Sequence, residues 1–202
     1  MSSARMARRC GLILCLALTV IAVPAFGQEA VYRLNAGGSW YTDTAGKLWE
    51  PDNGYRQYGY VSVTSAPISG TLDDTIYQSE RWGAPWEPEF TYHLPVTPGT
   101  YTVRLHFAEI YDGITAGNPR VFDVLLEGYL ALDNYNILAT AGYATAVVEQ
   151  FDVVVADTQL DIQFIAGQEN PKISGIEVLM SSGPTPSPQL SVSPGQMVFG
   201  DV

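Results

Sequence analysis

Between residues 101 and 107 the side chains alternate: Tyr101, Val103, Leu105 and Phe107 are large and apolar, while Thr102, Arg104 and His106 are polar. The same two-residue period recurs at Leu160, Ile162 and Phe164 against Asp161 and Gln163. In an extended chain a period of two puts alternate residues on opposite faces, so each segment has one face to bury and one to leave in water. A single strand cannot cover its own apolar face, whereas two antiparallel sheets packed together can. Further strand-like stretches, rich in Val, Ile, Tyr and Phe and bounded by Gly, Pro, Asn and Asp, are expected at 31–35, 58–63, 89–94, 121–127, 147–155 and 173–179. No segment carries a sustained helical period with caps. The chain is therefore expected to be all-β, a two-sheet antiparallel β-sandwich of the jelly-roll, galactose-binding-like type.

The two ends of the chain differ from this middle. Arg5, Arg8 and Arg9 precede an apolar run over residues 11–23, and Ala25-Phe26-Gly27 supplies small residues beyond it. The pattern predicts a secretory signal peptide over residues 1–27, with a retained anchor as the alternative, and hence a secreted or cell-surface location. Cys10 and Cys15, the only cysteines, both fall inside it, so residues 28–180 must fold without a disulfide. Roughly 150 residues suffice for one good core. After Met180, residues 181–189 read as a Ser/Pro linker, and 190–202 resemble the opening strand of an immunoglobulin-like domain of the ASPM/SPD-2/Hydin type. Thirteen residues cannot bury a core, so the expectation is a piece of a longer multidomain protein, with protein partners possible through further C-terminal domains.

Charge narrows the partners. The chain has 10 Lys+Arg and 21 Asp+Glu, and residues 1–27 hold three of the bases and none of the acids, leaving 7 against 21, a net −14. Binding to nucleic acid or to a lipid membrane is not expected: nucleic acid and anionic membranes are poor partners for so acidic a chain, since binding either needs a basic face to replace released counterions. An uncharged or cationic ligand remains open.

Large rings crowd a polar, loop-like region: Trp40, Tyr41, Trp49, Tyr55, Tyr58, Tyr60, Tyr77, Trp82 and Trp86. Rings there either plug the sandwich edge or serve as platforms, and for an exported protein the matching ligand is a sugar, whose apolar C–H face lies flat on a ring while its hydroxyls seek carboxylates and amides. The segments YRLNAGG (32–38), YGY (58–60), IYQSERWG (76–83), YTVRLHFAEIY (101–111), RVFDVLLEG (120–128) and ENPKISGIEVL (169–179) resemble, in order and spacing, malectin domains. That resemblance spans residues 31–179 and implies a non-catalytic carbohydrate-binding β-sandwich. Its animal representatives read a diglucose unit through four rings and an aspartate. Carried over, the rings fall on Tyr58, Trp82 and Tyr111, the fourth becomes Asp112, and the aspartate becomes Glu169. The resemblance thus implies a site for a neutral glycan, with a glucose-type di- or oligosaccharide expected and the exact sugar altered by the exchanges. Neither a cofactor nor a metal site is expected.

Supporting roles are expected at Asn35, Gly37 and Gly38, which either lend polar groups to a sugar or form a tight turn, and at Glu80 and Arg81, paired with each other to orient Trp82. Asp73-Asp74 reads as a turn acid pair, and His93 and His106 as ordinary strand residues. Two alternatives stand beside the lectin: a structural or adhesion module, and a glycoside hydrolase using two of Glu109, Asp112 and Glu169 as its carboxyl pair.

Overall fold

The computed structural model describes residues 30–181 except Gln57, Pro85 and Pro88. The expected signal segment, residues 190–202 and all of the linker except Ser181 lie outside the described residues. In chain order the elements are β1 (Ala30–Asn35), β2 (Tyr41–Thr42), β3 (Leu48–Pro51), β4 (Tyr60–Val63), α1 (Asp74–Tyr77), β5 (Ser79–Trp82), β6 (Phe90–Pro95), β7 (Gly99–Phe107), β8 (Val121–Leu126), β9 (Tyr129–Tyr135), α2 (Ile137–Ala141), β10 (Val147–Val155), β11 (Gln159–Gln168), β12 (Lys172–Ile173) and β13 (Gly175–Met180). Six strands form one sheet in the order β10-β7-β13-β1-β3-β2, and four form a second in the order β6-β11-β8-β9. Among the described residues no helix is long and apolar enough to cross a membrane.

The two sheets pack through the alternating residues. Tyr101, Val103, Leu105 and Phe107 from β7 share one core with Leu160, Ile162 and Phe164 from β11, with Phe90, Tyr92 and Leu94 from β6, and with Phe122, Val124 and Leu126 from β8. Phe90 stacks on Phe164 with ring centroids 4.6 Å apart, and Phe107 meets Phe122 and Tyr135 across the sheets at 5.9 and 5.2 Å. This is the sandwich that the two-residue period calls for, and removing one of these buried rings would cost about 3–5 kcal/mol.

Three features depart from a plain antiparallel two-sheet sandwich. Strand β1 pairs with β3 in parallel. A third, three-stranded sheet of β12, β5 and β4 stands apart from the other two. The outer face of β7 is not wetted along its length: Thr102 and His106 are buried. A second cluster of Trp49, Ile68, Ile76, Tyr77 and Ala108 covers the His106 end of that face, with the His106 ring edge-on to Trp49 at 5.2 Å and its Nδ1 2.8 Å from the Tyr77 hydroxyl, while Thr102 at the other end bonds to Asp152 and Ser181. Burial pushes the His106 imidazole down to about 4 from an ordinary 6.5, the attraction of Glu177 only partly opposing it. His106 is a strand residue, as expected, but a core one. Its short helix α1 neighbour is held by the acid pair: Asp73 accepts hydrogen bonds from the Tyr41 hydroxyl and from the Thr44 amide and hydroxyl, and Asp74 accepts one from the Ile68 amide.

Candidate functional site

The three-stranded sheet carries one side of the site. Within β5, Ser79 and Arg81 face one way and Glu80 and Trp82 the other, because neighbours on a strand point to opposite faces. The expected Glu80–Arg81 pair is therefore absent, a correction that the strand geometry dictates. Arg81 instead donates two hydrogen bonds to the buried Asp52 carboxylate, at 2.6 and 2.9 Å, and a third to the Gly59 carbonyl at 3.3 Å. The Tyr92 hydroxyl also donates to Asp52, at 2.7 Å. Burial alone would raise the Asp52 pKa, but the hydrogen bonds from Arg81 and Tyr92 outweigh it and hold the carboxyl below its ordinary value. Glu80 pairs with the fully buried Lys172 of β12, whose ammonium also donates to the Ala108 carbonyl. One strand is thus pinned on both faces by buried ion pairs, and Trp82 at its end is fixed between its strand partners Tyr60 and Lys172.

The end of β7 carries the other side. Glu109 is completely buried and fully engaged: its Oε2 accepts from Arg120 Nε at 2.8 Å and its Oε1 from the Tyr111 amide at 3.1 Å, while its carbonyl accepts from Ala144. Arg120 in turn donates to the Asn170 carbonyl, tying the loop after β11 to the loop after β7. Tyr111 remains 55% exposed. Its ring lies directly over Gly113, where a Cβ would come within 2.5 Å of two ring atoms, so only glycine leaves that space to the ring. Glu169 sits in the loop beyond β11 with φ of 58°, a left-handed conformation that costs a residue with a Cβ about 1–3 kcal/mol, and accepts from Asn118 at 3.2 Å.

These elements meet at a concavity of about 440 Å³ lined by Ser62, Val63, Glu80, Trp82, Ile110, Tyr111, Arg120, Glu169 and Asn170. Of the residues carried over from the resemblance, Trp82, Tyr111 and Glu169 line it, and so does Glu80. Asp112 is exposed on the turn next to Tyr111 and is not among the lining residues. Tyr58 borders a separate groove with Trp86. Asn35, Gly37 and Gly38 form a turn behind the sheet rather than part of the wall. The Asn35 amide donates to the Ser39 carbonyl and its carbonyl accepts from Ser79, and Gly37, with φ of 70°, has the Glu80 carbonyl where a Cβ would stand. Of the two roles open to these residues, the geometry fits the turn.

Sequence reasoning passed over Ser62, Val63, Ile110, Arg120 and Asn170. Arg120 had a readable signal, since a basic residue just before a strand was available to Glu109, the acid just beyond β7; the others carry none. Among the described residues no cluster of three or more His, Cys, Asp or Glu side chains is arranged to hold a metal ion. Chemically the concavity offers two aromatic surfaces, one strained rim carboxylate, and polar atoms along a floor whose charges are already neutralised in pairs.

Comparison with known proteins accords with this picture. The family profile described as "Malectin domain" matches residues 30–176. Malectin of Homo sapiens is 28% identical over 187 residues, covering 83% of this chain and 62% of that protein. Malectin-B of Xenopus laevis is 27% identical over 187 residues, covering 83% of this chain and 66% of its own. The chain thus spans less than two thirds of the length of these relatives. Among solved structures, the plant peptide RALF23 in complex with FER and LLG2 contains a chain that superposes with a TM-score of 0.68 at 23% identity, covering 75% of this chain and 48% of that one. A Bacteroides uniformis beta-glucuronidase superposes with a TM-score of 0.66 at 18% identity, covering 74% of this chain and 18% of that one. At such identities these two structures speak for the fold.

Proposed function

The chain belongs to the malectin-domain family, and from that premise we propose that it is a non-catalytic carbohydrate-binding module of an exported, multidomain protein, taking a neutral glucose-type di- or oligosaccharide into the concavity lined by Trp82 and Tyr111. The observation that carries the proposal is the convergence of those two rings with Glu169 on one concavity, although they lie on three separate chain segments. Rings supply flat apolar faces for the C–H side of a pyranose, and Glu169 supplies an acceptor for its hydroxyls. The overall acidity disfavours anionic glycans. Exchange of an aspartate for the longer Glu169, together with loss of the fourth ring at Asp112, which stands outside the wall, argues that discrimination among glucose-type sugars differs from that of the diglucose-reading relatives, because hydrogen-bond matches discriminate strongly.

The hydrolase alternative finds little support. Of its three candidate carboxyls, Glu109 is buried against Arg120 and the Tyr111 amide, and Asp112 lies off the concavity. The remaining lining acid besides Glu169 is Glu80, which Lys172 neutralises. A shallow site for two sugar rings yields about 4–6 kcal/mol, or roughly millimolar to tens of micromolar affinity. A glycan array probed with the wild-type chain, Trp82→Ala and Tyr111→Ala tests the reading. Binding confined to neutral glycans and lost in both variants is expected; absence of binding to every glycan, or equal binding by folded variants, contradicts it.

A further inference from the structure

The aromatic surface does not stop at the concavity. Trp82, which lines it, meets Tyr60 with ring centroids 5.5 Å apart, and Tyr60 meets Trp86 edge-on at 5.6 Å. Trp86 stands on a tight turn closed by reciprocal hydrogen bonds between the amides and carbonyls of Ala84 and Glu87, at 3.0 and 3.1 Å. The ring is 74% exposed. A ring that plugged the sandwich edge would be covered; this one is presented. Beyond it lies a second groove of about 470 Å³, bordered by Tyr58, Trp86, Glu87, Glu89, Thr91 and Gln163. Thr91 and Gln163 are cross-strand partners on β6 and β11, and they point outward where Phe90, Tyr92 and Phe164 point into the core. The groove therefore runs from the turn onto the outer face of the four-stranded sheet.

We propose that this groove is a second sugar subsite, joined to the concavity through the ring series Trp82–Tyr60–Trp86, so that the protein reads a neutral oligosaccharide chain longer than the concavity alone accommodates. The inference rests on the carbohydrate-binding reading and extends it. Two exposed rings, Tyr58 and Trp86, offer stacking faces, and the hydroxyl of Thr91, the amide of Gln163 and the carboxylates of Glu87 and Glu89 offer hydrogen-bond partners around them. Two carboxylates and no basic side chain among the bordering residues turn away uronic or sulfated chains and leave uncharged ones. Continuity matters more than either groove alone: two weak subsites on one chain act together, because the second is engaged at a high effective concentration once the first is filled.

The test is the dependence of affinity on chain length, by titration calorimetry of the full chain with α- and β-linked gluco-oligosaccharides of two to six units. Affinity should climb by about tenfold between the shortest and longest member of the preferred series, the scale of one added aromatic platform. In Trp86→Ala the ratio of longest to shortest should collapse toward one, and Trp86→Phe should restore part of it. Trp86 is exposed, so the variants are expected to unfold with the wild-type midpoint. Binding that is independent of length, or equally length-dependent in Trp86→Ala, overturns the second subsite while leaving the concavity intact. Failure of every oligosaccharide to bind overturns both.

Discussion

At the scale of single residues, buried charge is the dominant feature, and it makes specific demands. Removing one partner of a buried pair leaves the other uncompensated, which costs about 3–5 kcal/mol. Asp52→Ala strands the Arg81 guanidinium and the Tyr92 hydroxyl together, so a loss at that end of the range is expected in denaturant unfolding. His106 sets a pH dependence whose sign follows from its depressed value. Between an ordinary 6.5 and about 4 the unfolded imidazole carries a proton that the folded one does not, so stability is full above 6.5 and falls as the pH drops toward 4. The total is about 3 kcal/mol. His106→Gln should flatten the slope of unfolding free energy against pH across that window; an unchanged slope would assign it to other groups. None of this was visible in the alternation of residues 101–107, which marks His106 as outward but not as covered. What covers it, Trp49 and Tyr77, comes from segments too short or too irregular to be read as elements.

At the scale of elements, legibility tracked burial. Strands β7 and β11 were plain because each alternates against a deep core. The hairpin partner β9 was not, since its residues are mostly exposed at a sheet edge and its pairing with β8 is interrupted by register shifts. A signal did exist in Glu127-Gly128, whose φ values of 52° and 76° make the tight turn between the two strands. Strand β5 was hidden for the opposite reason: Ser79, Glu80 and Arg81 read as a polar loop, yet all are buried in ion pairs and hydrogen bonds. The candidate concavity was legible in part, because the resemblance named Trp82, Tyr111 and Glu169, which line it, whereas the placement of Tyr58 and Asp112 depends on loop paths that motif order does not encode. The turn at Gly113 gives an element-level prediction. Gly113→Ala puts a methyl where the Tyr111 ring lies, and the exposed ring is free to swing aside. Glycan affinity should drop nearly as far as in Tyr111→Ala while the melting temperature shifts by no more than a few degrees, since no core contact is lost. The matching change at Gly37 meets the Glu80 backbone carbonyl and should destabilise the fold instead.

On the scale of the whole molecule, two packed sheets form the frame, and a small third sheet brings Trp82 to the candidate concavity. The frame is held by apolar burial, and the third sheet is tied to it by the buried pairs Asp52–Arg81 and Glu80–Lys172, which contribute to fold stability and to the position of Trp82 together. Calorimetric titration of wild type, Trp82→Ala and a Lys172→Met, Glu80→Leu double variant should separate the contribution of the Trp82 ring to binding from that of the buried pair beside it. The double variant replaces a buried ion pair with apolar groups, which is often neutral or stabilising, so it should fold but place Trp82 against an altered floor. The most direct check of the central claim is titration of the full chain with the neutral oligosaccharide that binds best on an array, beside Trp82→Ala under the same conditions. The account predicts saturable binding between roughly millimolar and tens of micromolar in the wild type, and loss of about tenfold or more in the variant with its unfolding midpoint preserved. Equal heats and equal affinity in the two proteins would contradict it.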